Sequence, residues 1–159
     1  NARYILWTYS FRALGTVLDD TYLGPLTRRP PAAWTLGEHY GEEPYRIGFA
    51  YGAGWHRAWD SLDEGGSLDD YLLPAPAAGS FEWTARRAGL AAFLLPLEGI
   101  SADDPATLWL HDPLFFRQIV AVYDPVRPDA HFFAVHLSRA FDAIIYIDRV
   151  RAVQWRSSP

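Results

Sequence analysis

Two apolar runs constrain this chain more than anything else in it. Ala2-Arg3-Tyr4-Ile5-Leu6-Trp7-Thr8-Tyr9 stands near the start and Phe141-Asp142-Ala143-Ile144-Ile145-Tyr146-Ile147-Asp148 near the end. Neither has the clean alternation of a strand with one wet face. Continuous apolar strands belong in sheets covered on both sides, which in practice means sheets flanked by helices. A chain that opens on such a strand is expected to have something before it or beside it to pair with. The expectation is the back part of a larger α/β architecture.

Between the runs, short elements alternate with turn residues. Residues 10–31 read as loop or short helix. Trp34, Leu36 and Tyr40 fall on one face of a helix over 32–40, with Gly41 as its C-cap. Ile47, Phe49 and Tyr51 alternate as a strand over 45–51. Gly52-Ala53-Gly54 reads as a break, after which residues 55–61 continue extended or turn into a hairpin. The acidic stretch from Asp60 to Asp70 reads as a solvated loop, and Pro74 to Gly79 as a stiff linker. Ser80 is placed to N-cap a helix over 81–88, with Glu82 in the first turn where the helix dipole favours an acid. Further strands are expected at 92–97, 117–123 and 141–148, an extended amphipathic segment at 131–137, and a short helix at 105–110. The fold class expected is α/β, with a mixed, mostly parallel sheet flanked by short helices and one antiparallel hairpin near 45–60. A single domain covers 1–159, with the loop 60–79 inside it.

Composition removes several function classes. The formal net charge is −5, and the basic residues cluster no further than Arg28-Arg29 and Arg86-Arg87. Phosphate backbones require a concentrated positive face, so nucleic acid is not an expected partner. Cysteine is absent, which removes disulfides, thiolate metal sites and a Cys nucleophile. No apolar stretch reaches the roughly 18 residues that span a bilayer. The compartment stays open, with the cytoplasm slightly favoured.

Metal and cofactor motifs are missing from the sequence as well, so no cofactor is expected. His131 and His136 lie five apart on an extended segment and point to opposite faces, and His111 has no nearby partner. Asp19-Asp20, Asp63-Glu64, Asp69-Asp70 and Asp103-Asp104 are acidic pairs in turn-rich stretches, where solvation explains them. Ser80 lacks the Gly-x-Ser-x-Gly elbow of a nucleophile. Seven tryptophans are many for this length; Trp55, Trp59 and Trp155 fall near loops or the terminus and are candidates for an exposed patch that a partner would cover.

Three stretches together resemble the C-terminal part of the erythromycin esterase-like family, which includes succinoglycan-biosynthesis-like proteins. They are Leu36-Gly37-Glu38-His39-Tyr40-Gly41 running into Tyr45-Arg46-Ile47-Gly48-Phe49, then Pro74-Ala75-Pro76-Ala77-Ala78-Gly79-Ser80-Phe81-Glu82, then Phe141-Asp142-Ala143-Ile144-Ile145-Tyr146-Ile147-Asp148. The resemblance implies an ester hydrolase that uses histidines and a glutamate from both halves of a longer chain. One family histidine pair lies in a motif similar to Trp-Ala-His-Asn-x-His. Here that stretch reads Trp7-Thr8-Tyr9-Ser10-Phe11-Arg12. Tyr9 and Arg12 stand at the histidine positions, and side chains with pKa values near ~10 and above ~12 do not serve as bases at neutral pH.

The candidate ligand-binding residues are therefore Tyr9 and Arg12, at the C-terminal end of the first strand where open α/β sheets place ligands, together with His56 after the glycine turn. Arg12 suits a carboxylate or phosphate. No catalytic residue is assigned, and activity is not expected of this chain alone. The expected function is a catalytically degenerate module serving as a structural or interaction subunit. Its expected partner is another protein chain or a second copy. The alternative is one piece of an ester (macrolide-lactone-type) hydrolase, completed by an upstream or partner segment.

Overall fold

The computed structural model describes residues 32–42, 44–119 and 121–154. The strand expected over 3–9 lies outside the described residues, and so do Tyr9, Arg12 and Trp155.

Helix α1 (Ala32–Tyr40) ends where expected, at Gly41. Gly41 takes φ 72 and its N–H donates to the Gly37 carbonyl at 2.9 Å, the left-handed cap that glycine adopts without a Cβ penalty. Strand β1 (Ile47–Trp59) follows and is the spine of the fold. Next come β2 (Leu68–Leu73), α2 (Phe81–Arg87), β3 (Ala92–Pro96), β4 (Pro113–Arg117), β5 (Phe132–His136), α3 (Leu137–Ala140) and β6 (Ala143–Val150), with 3₁₀ turns at Leu108–Leu110 and Pro128–His131.

Four strands form one sheet in the order β2-β1-β6-β3, and β4 and β5 form a separate ribbon. The expected α/β class with a mixed sheet and short flanking helices is the one observed. Only β1 with β6 is parallel, from Ile47 opposite Ala143 to Gly54 opposite Val150. The β1–β2 and β3–β6 pairs are antiparallel, so a parallel majority is not found among the described strands. The cause is connection length. Residues 60–67 are too few for a crossover and return the chain as a hairpin, whereas β1 and β6 are joined by a long excursion.

Two further expectations shift. Gly52-Ala53-Gly54 does not break the strand; β1 runs through it, and its hairpin partner is Leu68–Leu73. The acidic loop therefore ends earlier than the sequence suggests, because Asp69 and Asp70 sit on an edge strand whose outer positions face water. Gly54 takes φ 127 and lies so close to Val150 that a Cβ would overlap its carbonyl. Across Gly54 the side-chain alternation inverts: Ala50 packs in the main core, while Ala58 joins Tyr51 in the smaller one. The strand expected over 117–123 is found at 113–117 instead, since Leu114-Phe115-Phe116 is the segment that pairs with β5. Beyond it, Trp59 bridges to Val122.

The main core joins α2 to both sheets. Phe81 lies 5.8 Å from Phe116, and Phe116 5.8 Å from Phe141, as ring centroids; Phe93 packs on Tyr146 at 5.0 Å. Burying each such side chain contributes about 1.5–3 kcal/mol. Helix α2 is N-capped by Ser80, whose hydroxyl accepts from the Trp83 amide at 3.1 Å, and Ser80 is buried in that role.

A polar knot fixes the start of the sheet. Arg46 donates to both carboxylate oxygens of Asp142, at 3.1 Å and 2.9 Å, and to the Arg139 carbonyl at 3.0 Å. Burial works against the Asp142 charge, but the Arg46 contacts outweigh it and hold this carboxyl below its ordinary range. Gly48 lets the Phe141 ring approach, since a Cβ there would stand 3.0 Å from it.

A Gly54→Ala change meets both a left-handed φ and the Val150 backbone. It is expected to lose about 2 kcal/mol or more in urea unfolding. Gly41→Ala, where the space is open, is expected to lose about 1 kcal/mol. Equal losses would show that the Gly54 approach is not what shapes β1.

Candidate functional site

The side chains with the most displaced chemistry gather around Arg117, the last residue of β4. Arg117 is 3% exposed. Its guanidinium donates to the Gly52 carbonyl and to the Pro74 carbonyl, each at 3.1 Å, and lies 4.8 Å from the Phe132 ring centre. Its amide donates to Glu82 Oε1 at 2.8 Å. One residue thus ties β1, the proline linker, α2 and the β4–β5 ribbon together.

Glu82 is 0% exposed, and its Oε2 is buried without a hydrogen-bond partner. Burial, opposed by the Arg117 amide, pushes its carboxyl up to about 7. It is therefore poised between neutral and ionised at ordinary pH, a property often found at reactive sites. Tyr51 faces the same region; burial pushes its hydroxyl up to about 12, against the pull of Arg117. Burial also raises Tyr123, again with Arg117 opposing.

Two histidines border the group. His56 stacks on Tyr51 with ring centroids 6.0 Å apart, and its Nε2 is buried without a partner. Burial lowers its pKa, reinforced by the charge of His131. His131 stacks on Tyr123 at 4.9 Å and accepts from the Asp124 amide through Nε2 at 3.0 Å. That bond places the ring proton on Nδ1. Burial lowers His131 as well, with Asp124 opposing.

A second pairing lies elsewhere. Ser138 Oγ is 3.3 Å from His111 Nδ1, and His136 Nδ1 is 3.1 Å from the His111 carbonyl. His111 therefore does have neighbours, contrary to the sequence expectation: α3 folds back over the 3₁₀ turn and brings residues 25 and more positions away against it.

Of the candidate ligand-binding residues, His56 belongs to the Arg117 cluster, on β1 itself rather than after a turn. Tyr9 and Arg12 lie outside the described residues. His39 is exposed, edge-on to Tyr40 at 4.7 Å. Glu82 and Arg117 escaped the sequence reading, where Glu82 looked like an ordinary helix-dipole acid. The available signal was its setting between Phe81 and Trp83, two residues past a buried cap. Among the described residues, no three His, Asp or Glu side chains are grouped to hold a metal. No described helix is long and apolar enough to cross a membrane.

Residues 34–150 match the sequence model of the erythromycin esterase family. The chain belongs to that family. No curated protein matches it in sequence. Two crystal structures are similar in fold. One is a protein from Bacillus cereus, with TM-score 0.65 and 19% identity over 81% of this chain and 30% of its own. The other is a succinoglycan biosynthesis protein, with TM-score 0.62 and 20% identity over 84% of this chain and 29% of its own. The chain thus spans about a third or less of each solved relative.

Within this erythromycin esterase-family chain, the first and third family-like stretches meet directly, and the second is held by β4. Tyr45-Arg46-Ile47-Gly48 meets Phe141-Asp142 through Arg46–Asp142 and the Gly48–Phe141 contact. The proline stretch meets β4 through Pro74, Glu82 and Arg117.

Glu82 makes a signed prediction. Its folded pKa, about 7, lies above its unfolded value, so the folded state holds the extra proton between those values. Stability contributed by this group falls as pH rises through that window, by about 3 kcal/mol at most. Glu82→Gln is expected to be more stable than the parent at pH 8 and close to it near pH 4.5 in urea unfolding. His56 and His131 titrate with the opposite sign, so the parent-minus-variant difference is the quantity that isolates Glu82. A difference that does not change with pH would overturn the reading.

Proposed function

We propose that this chain is a catalytically silent member of the erythromycin esterase family, acting as a structural or interaction module of a larger assembly. One observation carries the reading. Several acids and bases of the described residues are engaged in holding the scaffold: Asp142 by Arg46, Glu82 through Oε1 by the Arg117 amide, and His131 Nε2 by the Asp124 amide. The sequence supports it further, with Tyr9 and Arg12 at positions where the family motif carries histidines. Two sheet edges, β2 and β3, are unpaired among the described strands, and unpaired edges are natural surfaces for a further chain. Leu94 on β3 and Leu72 on β2 are 58% and 62% exposed.

A second reading is favoured by the share of the solved relatives that this chain spans, 30% and 29%. In it the chain is one piece of an ester hydrolase, and the reacting groups come from a further segment or partner.

The discriminating assay is hydrolysis of a p-nitrophenyl ester and of a macrolide lactone by the purified chain. No rate above background is expected, and a native mass measurement should find the chain accompanied or self-associated. A rate removed by Tyr9→Phe or Arg12→Ala would defeat the silent reading. A rate that appears only on adding the remaining part of a full-length relative would favour the second.

A further inference from the structure

The β1–β2 hairpin leaves its outer strand with an open edge. The backbone of Trp59 is engaged on the side away from β2: its amide donates to the Ala121 carbonyl at 2.8 Å, and its carbonyl accepts from the Tyr123 amide at 2.9 Å. The next residue turns the other way, and the Asp60 amide donates to the Ser67 carbonyl at 3.0 Å. Antiparallel ladders alternate bonded and non-bonded pairs. Trp59–Leu68, Arg57–Asp70 and Trp55–Leu72 are therefore the non-bonded ones. The amides and carbonyls of Leu68, Asp70 and Leu72 point away from β1, and β2 ends the sheet among the described strands. Their side chains share the outer face of the hairpin with Trp55, Arg57 and Trp59, and Leu68 and Leu72 are 44% and 62% exposed. The opposite face is covered, where Ala58, Leu73 and Tyr71 pack with Tyr123; Asp69, opposite Ala58, lies on that side.

The outward residues of this edge, Leu68, Asp70 and Leu72, read the same from either end. A second β2 laid antiparallel, with Asp70 beside Asp70, brings Leu68 beside the partner's Leu72 and Leu72 beside the partner's Leu68. Every outward amide and carbonyl then has an acceptor or donor, with two bonds at each pair. On the outer face an apolar row crosses the joint, running Trp59, Leu68, the partner's Leu72 and the partner's Trp55. The central row sets no bare acids together. Arg57 binds the Asp70 carboxylate through two nitrogens, at 2.6 Å and 3.0 Å, so each half of that row is a neutral pair. On the covered face Asp69 falls beside the partner's Tyr71, again not beside an acid. The acidic turns over 60–67 go to opposite ends: at ~3.3 Å per residue the two Ser67 positions stand about 20 Å apart, beyond the screening length of ~8 Å. A foreign basic strand has less to recognise here, because Arg57 already holds both Asp70 oxygens.

We propose that two copies of this chain pair edge to edge through β2, antiparallel about Asp70, into one continuous sheet. Self-complementarity of the edge, apolar at both ends and neutral in the middle, selects a second copy as the occupant. This pairing rests on the interaction-module reading and names its partner. Catalytic silence is decided by ester hydrolysis and the pairing by mass, so each can fail without the other.

Sedimentation of the purified full chain is expected to give twice the chain mass. Leu68→Lys with Leu72→Lys sets like charges side by side at both ends of the joint, and is expected to weaken the pairing about tenfold or more. Leu68→Lys with Leu72→Glu keeps the first change but places opposite charges together, and is expected to recover most of the lost affinity. A parent that sediments as a single chain would overturn the proposal, and so would a first variant that stays paired as tightly as the parent. A second variant no tighter than the first would rule out the register about Asp70. The unaltered chain supplies a check that needs no substitution. The outward amides of Leu68, Asp70 and Leu72 are expected to exchange hydrogen more slowly as protein concentration rises. Exchange at these three amides that ignores concentration would rule out pairing through this edge, whatever the variants do.

Discussion

A buried arginine organises this fold. Arg117 brings a full positive charge into a site with 3% exposure, and such a charge is tolerated only where hydrogen bonds replace its water. It finds two backbone carbonyls, Gly52 and Pro74, and the face of Phe132. Each of those partners then becomes fixed. Gly52 must stay close to β6, where a Cβ would meet Tyr146 and Asp148, and the proline linker must present its carbonyl inward. Glu82 must sit at the start of α2, because the Arg117 amide needs an acceptor. Removing the guanidinium would strand those acceptors and leave Glu82 beside no compensating charge, a loss of the size seen when buried charge partners are broken, about 3–5 kcal/mol.

Glu82 carries the cost of this arrangement. It does not pair with the guanidinium; Oε1 binds the amide and Oε2 binds nothing. Burial therefore wins over the neighbouring positive charge, and the carboxyl rises rather than falls. Asp142 is the contrasting case: partly exposed, and gripped by Arg46 through both oxygens, it falls. Two acids in one small domain are thus driven in opposite directions by the same contest between desolvation and hydrogen bonding.

Where the sequence was readable, local rules and tertiary demands agreed. The Ser80 cap, Gly41, the strand after it and the terminal strand were all legible because their signals act over a few residues. What could not be read depended on distant contacts. Gly54 looks like a break because isolated glycines weaken strands, yet here it is the residue that lets β1 pass against Val150 and turn its faces over. Asp69-Asp70 reads as solvated loop because an edge strand with acids outward has the composition of a loop. His111 acquires Ser138 and His136 only when α3 folds back. The Arg117 cluster draws on four separate segments, so no window of sequence contains it.

The same distinction explains why family membership is so visible in this chain. A family-like stretch stays recognisable when each residue in it answers to a partner elsewhere. Arg46 needs Asp142, Gly48 needs room for Phe141, and Pro74 and Glu82 need Arg117. Replacing Arg46 or Asp142 alone leaves a charge without its complement, and a Cβ at position 48 meets the Phe141 ring, so the effects of changes at these neighbours are not additive.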